Sequence, residues 1–156
     1  MPRGRAAPKL PVVRLALPQP YEEISHTADV GLAARGATAE EALSRLVLAL
    51  AALLSGGGAV APAGECALAV SGGADLAQTA VAVLREVLFR FATRRELPCS
   101  CEVRALSAGH AELSVGFGHY DPLLHAEGAD VKAVTYHGAR FEPDPAGWRA
   151  QVILDI

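Results

Sequence analysis

Apolar residues recur at the 3.6-residue spacing of a helix in two segments of the chain. The first segment begins after Thr38, whose spacing to Glu41 matches a capping box, and stops at the three glycines 56–58. Its apolar stripe consists of Leu43, Leu46, Val47, Leu50, Leu53 and Leu54. The second segment begins near Asp75 and carries its apolar face as far as Phe91. The pattern predicts two amphipathic helices that pack on a common core.

Other segments alternate apolar and polar residues, which is the two-residue period of a half-buried strand. Alternation runs through 99–105 and 111–117, with a turn at 107–109 between them. A second pair, 131–141 and 148–156, flanks a turn at 143–147. Short turns join antiparallel strands. The predicted fold class is α+β, a single domain of antiparallel sheets with two amphipathic helices.

The composition fits a folded domain. A chain of 156 residues, 51% of them hydrophobic, suits one domain with a sizeable core and excludes a wholly disordered protein. The longest apolar stretch, 46–54, is far shorter than the roughly 20 residues of a membrane-spanning helix. We therefore expect a soluble protein with no membrane partner.

The formal net charge of -3 is unevenly distributed. Residues 1–20 hold four basic residues, no acidic one and several prolines, which leaves 10 basic against 17 acidic residues in 21–156. We predict a basic, flexible extension over 1–20, either a solvated tail or an RNA-contacting arm, and a domain over 21–156. An acidic domain favours a protein partner or a cation over stable direct binding of nucleic acid.

The cysteines and the missing motifs narrow the function further. Cys66, Cys99 and Cys101 lack the spacing of a zinc site, and buried free thiols are typical of a reducing compartment, so we predict a cytoplasmic protein. The signatures GxxxxGK[ST], GxGxxG, HExxH and GxSxG do not occur in the sequence. Their absence makes a stand-alone enzyme less favoured.

Two carboxylate-bearing segments are candidates for chemistry. His26, Thr27 and Asp29 precede a predicted strand, where Asp29 either serves a site or closes a local turn. Asp155 interrupts the apolar strand that ends the sequence, directly before Ile156. If the two segments are neighbours, Asp29, Asp155 and the Ile156 carboxylate offer oxygens to calcium, magnesium or manganese. The alternative is an exposed terminus that binds nothing.

A third segment, 131–137, contains Lys132 and His137. Strand alternation places these two residues on opposite faces, so we expect them to serve different neighbours. His137 is a candidate metal ligand or general base, or a structural histidine.

Three stretches, YEEISHTADVGLAARGATAEEALSRL, VKAVTYHGARF and WRAQVILDI, together resemble the archease family in order and spacing. The resemblance covers about residues 21–156 and implies an archease-like fold. It also implies an accessory protein of the RNA ligase RtcB, which acts in tRNA splicing and RNA repair. In that family archease promotes guanylylation of the ligase's active-site histidine and allows multiple turnover without joining RNA itself. The resemblance therefore predicts an activator that is not an enzyme and whose partner is an RtcB-type ligase.

The resemblance also assigns roles to individual residues. It implies a divalent-cation site formed by Asp29, Asp155 and Ile156, with calcium as the first expectation and magnesium or manganese as alternatives. Lys132 is a further candidate for activation, and His26 and Thr27 are candidates for shaping the Asp29 turn. Two other functions stay open: a small metal-dependent hydrolase with His26 or His137 as base, and a chaperone-like protein-binding module.

Overall fold

The structure, a computed structural model, describes residues 12–25, 29–125 and 129–156. Its helices are α1, Ala39–Ser55, and α2, Leu76–Arg94. Its strands are β1 Arg14–Ala16, β2 Glu22–Ser25, β3 Asp29–Gly36, β4 Gly64–Ser71, β5 Glu96–Ser107, β6 His110–His119, β7 Ala133–Asp144 and β8 Gly147–Asp155.

The strands form two four-stranded sheets in the orders β1-β5-β6-β4 and β2-β3-β8-β7, and every pairing is antiparallel. Helix α1 contacts β5 of the first sheet and β3 of the second, and α2 contacts β5 and β7. The two helices therefore lie between the sheets and share one core with both. The predicted α+β fold with antiparallel sheets and the two predicted hairpins are confirmed.

Helix α1 begins and ends where the sequence predicts. The backbone N–H of Glu41 donates to Thr38 Oγ1 at 3.1 Å, and the Glu41 carboxylate accepts from the N–H of Ala37 at 3.1 Å. These bonds satisfy donors that a helix start leaves unpaired. Gly56 ends the helix at φ 67°, a left-handed conformation that favours glycine.

Helix α1 is buried on nearly all sides and not only along its predicted apolar stripe. Positions outside the stripe, including Ala42, Ser44, Leu48 and Ala49, are also buried. The cause is its location, because a helix between two sheets presents opposite faces to apolar strands. Helix α2 keeps one buried face, with Val83, Leu84 and Val87 in the core.

Strand β1 lies inside the segment 1–20 that we predict to be a flexible extension. For these residues the structure shows an ordered edge strand instead, paired with β5. Leu15 packs against the core, and the Arg14 guanidinium donates to Ser100 Oγ at 2.8 Å and forms an ion pair with Glu65. One apolar contact and a local charge cluster thus anchor β1. Residues 1–11 lie outside the described part of the chain.

The cysteines are free thiols, as predicted. Cys99 and Cys101 are buried on β5, and Cys66 on β4 is half-buried. Burial raises the pKa of the Cys101 thiol to about 12, so this side chain stays protonated at neutral pH. Its role is that of a small apolar core residue.

Candidate metal centre

Asp29 and Asp155 are direct neighbours across two central strands. Asp29 is the first residue of β3, Asp155 is the last of β8, and the antiparallel register pairs them. Side chains of directly paired residues project from the same face, with Cβ atoms about 4.5–5.5 Å apart. The structure therefore brings together the two aspartates that the sequence places near opposite ends of the chain.

The alternation of β8 explains why the aspartates face outward. Ala150, Val152 and Leu154 are fully buried and face the core. Asp155 lies at one of the alternate positions, whose side chains point away from the core, and it is exposed. Its partner Asp29 is half-buried. Both carboxylates thus stand on the outer face of the sheet, at its rim, where an ion from solvent can reach them.

Acidic residues at the other end of this face have cationic partners. Glu22 lies 3.4 Å from Arg35 and 3.6 Å from Arg149, and Asp144 lies 3.5 Å from Arg35. Among the ion pairs of the described residues, none involves Asp29 or Asp155. Like charges directly opposite one another destabilise a strand pair. A cation between the two carboxylates would remove that repulsion.

The chemistry of this pair fits a hard divalent cation. Two carboxylates supply up to four oxygen ligands, and calcium takes about six to eight oxygens, commonly from carboxylates, carbonyls and water. Within residues 12–25, 29–125 and 129–156, no third His, Cys, Asp or Glu side chain joins the pair. This donor set suits calcium, magnesium or manganese better than zinc, which prefers nitrogen and sulfur.

The other predicted site residues are placed as follows. The backbone N–H of Lys132 donates to the Asp155 carbonyl at 2.8 Å, and the next residue, Ala133, pairs with Asp155. Lys132 is therefore tied to the end of β8. Ile156 follows Asp155 and is 39% exposed. His26 and Thr27 lie outside the described residues, so their predicted roles stay predictions.

We predicted that strand alternation places Lys132 and His137 on opposite faces. The reason given for that prediction is wrong, because the two residues do not share a regular strand. Lys132 precedes β7, and His137 lies in a bulge where the register jumps between Thr135 and Arg140. Gly138 makes the bulge possible with φ 72°, and a Cβ there would lie 2.8 Å from the Ile153 side chain. The next residue, Gly138, packs closely against Ile153 of β8, and within the described residues His137 does not join the aspartate pair.

A sizeable cavity lies elsewhere in the molecule. It has a volume of about 920 Å³ between β1, the loop after α1 and strand β5, with Leu17, Val60 and Cys99 in its wall. Of the residues that the structure describes, neither Asp29 nor Asp155 lines it. Enzymes usually enclose their substrates in such concave sites. Asp155 instead stands exposed at the rim of the sheet.

Sequence reasoning missed two residues close to this rim, Arg85 and Phe89 of α2. Together with Lys132 and Ala133 they line a groove of about 370 Å³ between α2 and β7. Phe89 is 57% exposed. In the sequence, Phe89 stands out only as a large aromatic residue that lies outside the apolar stripe of its helix.

Within the described ranges, neither helix combines the length and apolarity that a bilayer crossing requires.

Comparison with known proteins identifies the family. Residues 21–156 match the model of the Archease protein family. Protein archease of Methanopyrus kandleri is 34% identical over 140 residues, which span 88% of this chain and 99% of that protein. The solution structure of Methanobacterium thermoautotrophicum protein 1598 shares the fold, with a TM-score of 0.71, 24% identity and coverage of 87% of this chain and 98% of that one. A Thermotoga maritima crystal structure, described as an archease and possible chaperone, gives a TM-score of 0.56 at 20% identity and covers 90% of this chain and 98% of its own. The chain belongs to the archease family.

Proposed function

We propose that this protein is a metal-binding activator of an RtcB-type RNA ligase and is not itself an enzyme. The observation that carries the proposal is the direct pairing of Asp29 with Asp155 on the exposed rim of the sheet. Membership of the archease family supports the choice of partner. The three free cysteines support a cytoplasmic location.

The proposed role is to promote guanylylation of the ligase, in which a histidine of the ligase attacks the α-phosphate of GTP and pyrophosphate leaves. A divalent cation held by Asp29 and Asp155 would supply positive charge to the triphosphate as negative charge develops. The two strands fix the spacing of the carboxylates, so the oxygens need little rearrangement. The Lys132 backbone bond to the Asp155 carbonyl holds the end of β8 in register with β7. Ile156 as a further ligand remains a prediction.

A second candidate function is a chaperone-like protein-binding module. Large apolar side chains at the surface favour it, notably Phe89 at 57% and Leu123 at 93% exposure. A module of this kind would assist its partner without needing Asp29 or Asp155. The two functions therefore differ in whether the carboxylates are required.

Adding this protein to the purified ligase of the same source, with GTP and a divalent cation, is expected to accelerate formation of the guanylylated ligase. The measurement is the rate of covalent transfer of labelled guanylate, followed on a denaturing gel. Incubating this protein alone with labelled GTP is the control, and we expect no label on it. No acceleration by folded protein would contradict the proposed function.

A further inference from the structure

A groove between α2 and β7 is the most distinctive surface next to the aspartate pair. Leu88 and Ala92 contribute apolar surface to it, and Phe89 stands in its wall with 57% of its surface exposed. An exposed phenylalanine beside a concavity of about 370 Å³ offers a partner an aromatic anchor, the kind of contact that dominates interface energies.

The groove is also positively charged, although the protein as a whole is acidic. Arg85 and Lys132 line it, and no acidic side chain does among the described residues. In the same part of the chain neither cation forms an ion pair. The groove thus offers two cationic groups to an acidic partner.

Arg85 is held in place before any partner arrives. Its Nε–H donates to the Val134 carbonyl at 2.9 Å, and its guanidinium carbon lies 4.1 Å from the centroid of the Tyr136 ring. These contacts fix the planar group and leave its terminal nitrogens for a carboxylate. A preordered arginine loses less conformational entropy on binding.

The groove borders the strand end that carries Asp155. Ala133 lines the groove and also pairs with Asp155, and Lys132 joins the same two features through its backbone. Neither Asp29 nor Asp155 is among the described residues that line the groove, and both stand on the outer face of the sheet, whereas α2 packs on its inner face. The shared strand end places this docking surface near the site that we propose to act on the ligase.

We propose that the α2–β7 groove docks a segment of the ligase in which an apolar side chain is flanked by carboxylates. The apolar side chain would pack on Phe89 and Leu88, and the carboxylates would pair with Arg85 and Lys132. The proposal rests on the proposed function. Single-stranded RNA is disfavoured as the occupant because two cations on an otherwise acidic domain neutralise few phosphates.

The test is the affinity of purified ligase for the wild-type protein and for Phe89→Ser and Arg85→Glu, measured by calorimetry, with guanylylation rates measured in parallel. Each variant is expected to weaken binding at least about 10-fold, because central aromatic and arginine contacts dominate interface energies. At saturating concentration each is expected to support the wild-type maximal rate. Tyr21→Ser, directly before the opposite edge strand β2, and Arg104→Glu, on the other sheet, are the matched controls and should bind normally.

The outcomes separate the two proposals. Wild-type affinity in both groove variants, with unchanged melting temperatures, would overturn the groove proposal and leave the activator proposal intact. Weaker binding of a single-stranded RNA oligonucleotide with unchanged ligase affinity would assign the groove to RNA and also overturn it. Ligase binding without faster guanylylation would overturn the activator proposal alone, and no binding by the wild-type protein would overturn both.

Discussion

Replacing Asp155 by asparagine is expected to reduce the stimulation of ligase guanylylation by roughly 100-fold. The substitution keeps the shape of the side chain but removes one of the two facing charges that we propose to hold the cation. Asp29→Asn should have an effect of similar size. The double variant should be hardly worse than either single variant, because the two carboxylates act as one site. The measurement is the initial rate of guanylate transfer at saturating GTP.

The free energy of unfolding distinguishes a role of the two aspartates in activation from a structural role. Because like charges face each other across β3 and β8, removing one charge in a metal-free buffer should leave the free energy of unfolding unchanged or raise it by about 0.2–1 kcal/mol. Glu112→Gln, an exposed carboxylate on the other sheet, is the control and should activate normally. Full stimulation by Asp155→Asn would show that the pair does not act in activation.

Replacing Leu46 by alanine is expected to lower the free energy of unfolding by about 2–5 kcal/mol. Leu46 is fully buried in α1, the helix that packs against β5 on one side and β3 on the other. A cavity there removes contacts from the core that both sheets share, and rigid strands limit its collapse. Urea denaturation followed by circular dichroism measures the change. We expect a lower midpoint urea concentration and an unchanged slope of the unfolding free energy against urea concentration.

Leu46→Met is the matched control, because it keeps nearly the same volume and should cost less than about 1.5 kcal/mol. A loss below 1 kcal/mol in Leu46→Ala would mean that α1 is not enclosed by both sheets as the structure has it. If Leu46→Ala loses about 2–5 kcal/mol of unfolding free energy as expected, we expect its ligase activation to fall only in proportion to the fraction of unfolded protein.

Local features of the fold could be predicted from the sequence because their causes are local. The Thr38–Glu41 spacing, the glycines after Ser55 and the alternation along β5 and β6 each act within a few residues. The position of α1 between the two sheets could not be predicted in the same way. The apolar stripe indicates one buried face of α1, whereas the second depends on sheet partners distant in sequence.

The aspartate pair was predictable in part. Each aspartate interrupts or precedes an apolar strand, which marks it as unusual, but their pairing depends on the register of β3 with β8. The bulge around Gly138 escaped prediction because its position depends on the register with β8, where the Ile153 side chain leaves no room for a Cβ at residue 138. The groove beside Lys132 depends on how α2 packs against β7, which no single segment encodes.

A calorimetric titration of calcium into the metal-free protein tests the proposed metal site itself. We expect saturable binding at one site in the wild-type protein and in Glu112→Gln, and loss of that binding in Asp29→Asn and in Asp155→Asn. Both aspartates should be required because each supplies only part of the oxygen set. Calcium binding of wild-type strength in Asp155→Asn would contradict the claim that the facing aspartates form the metal site.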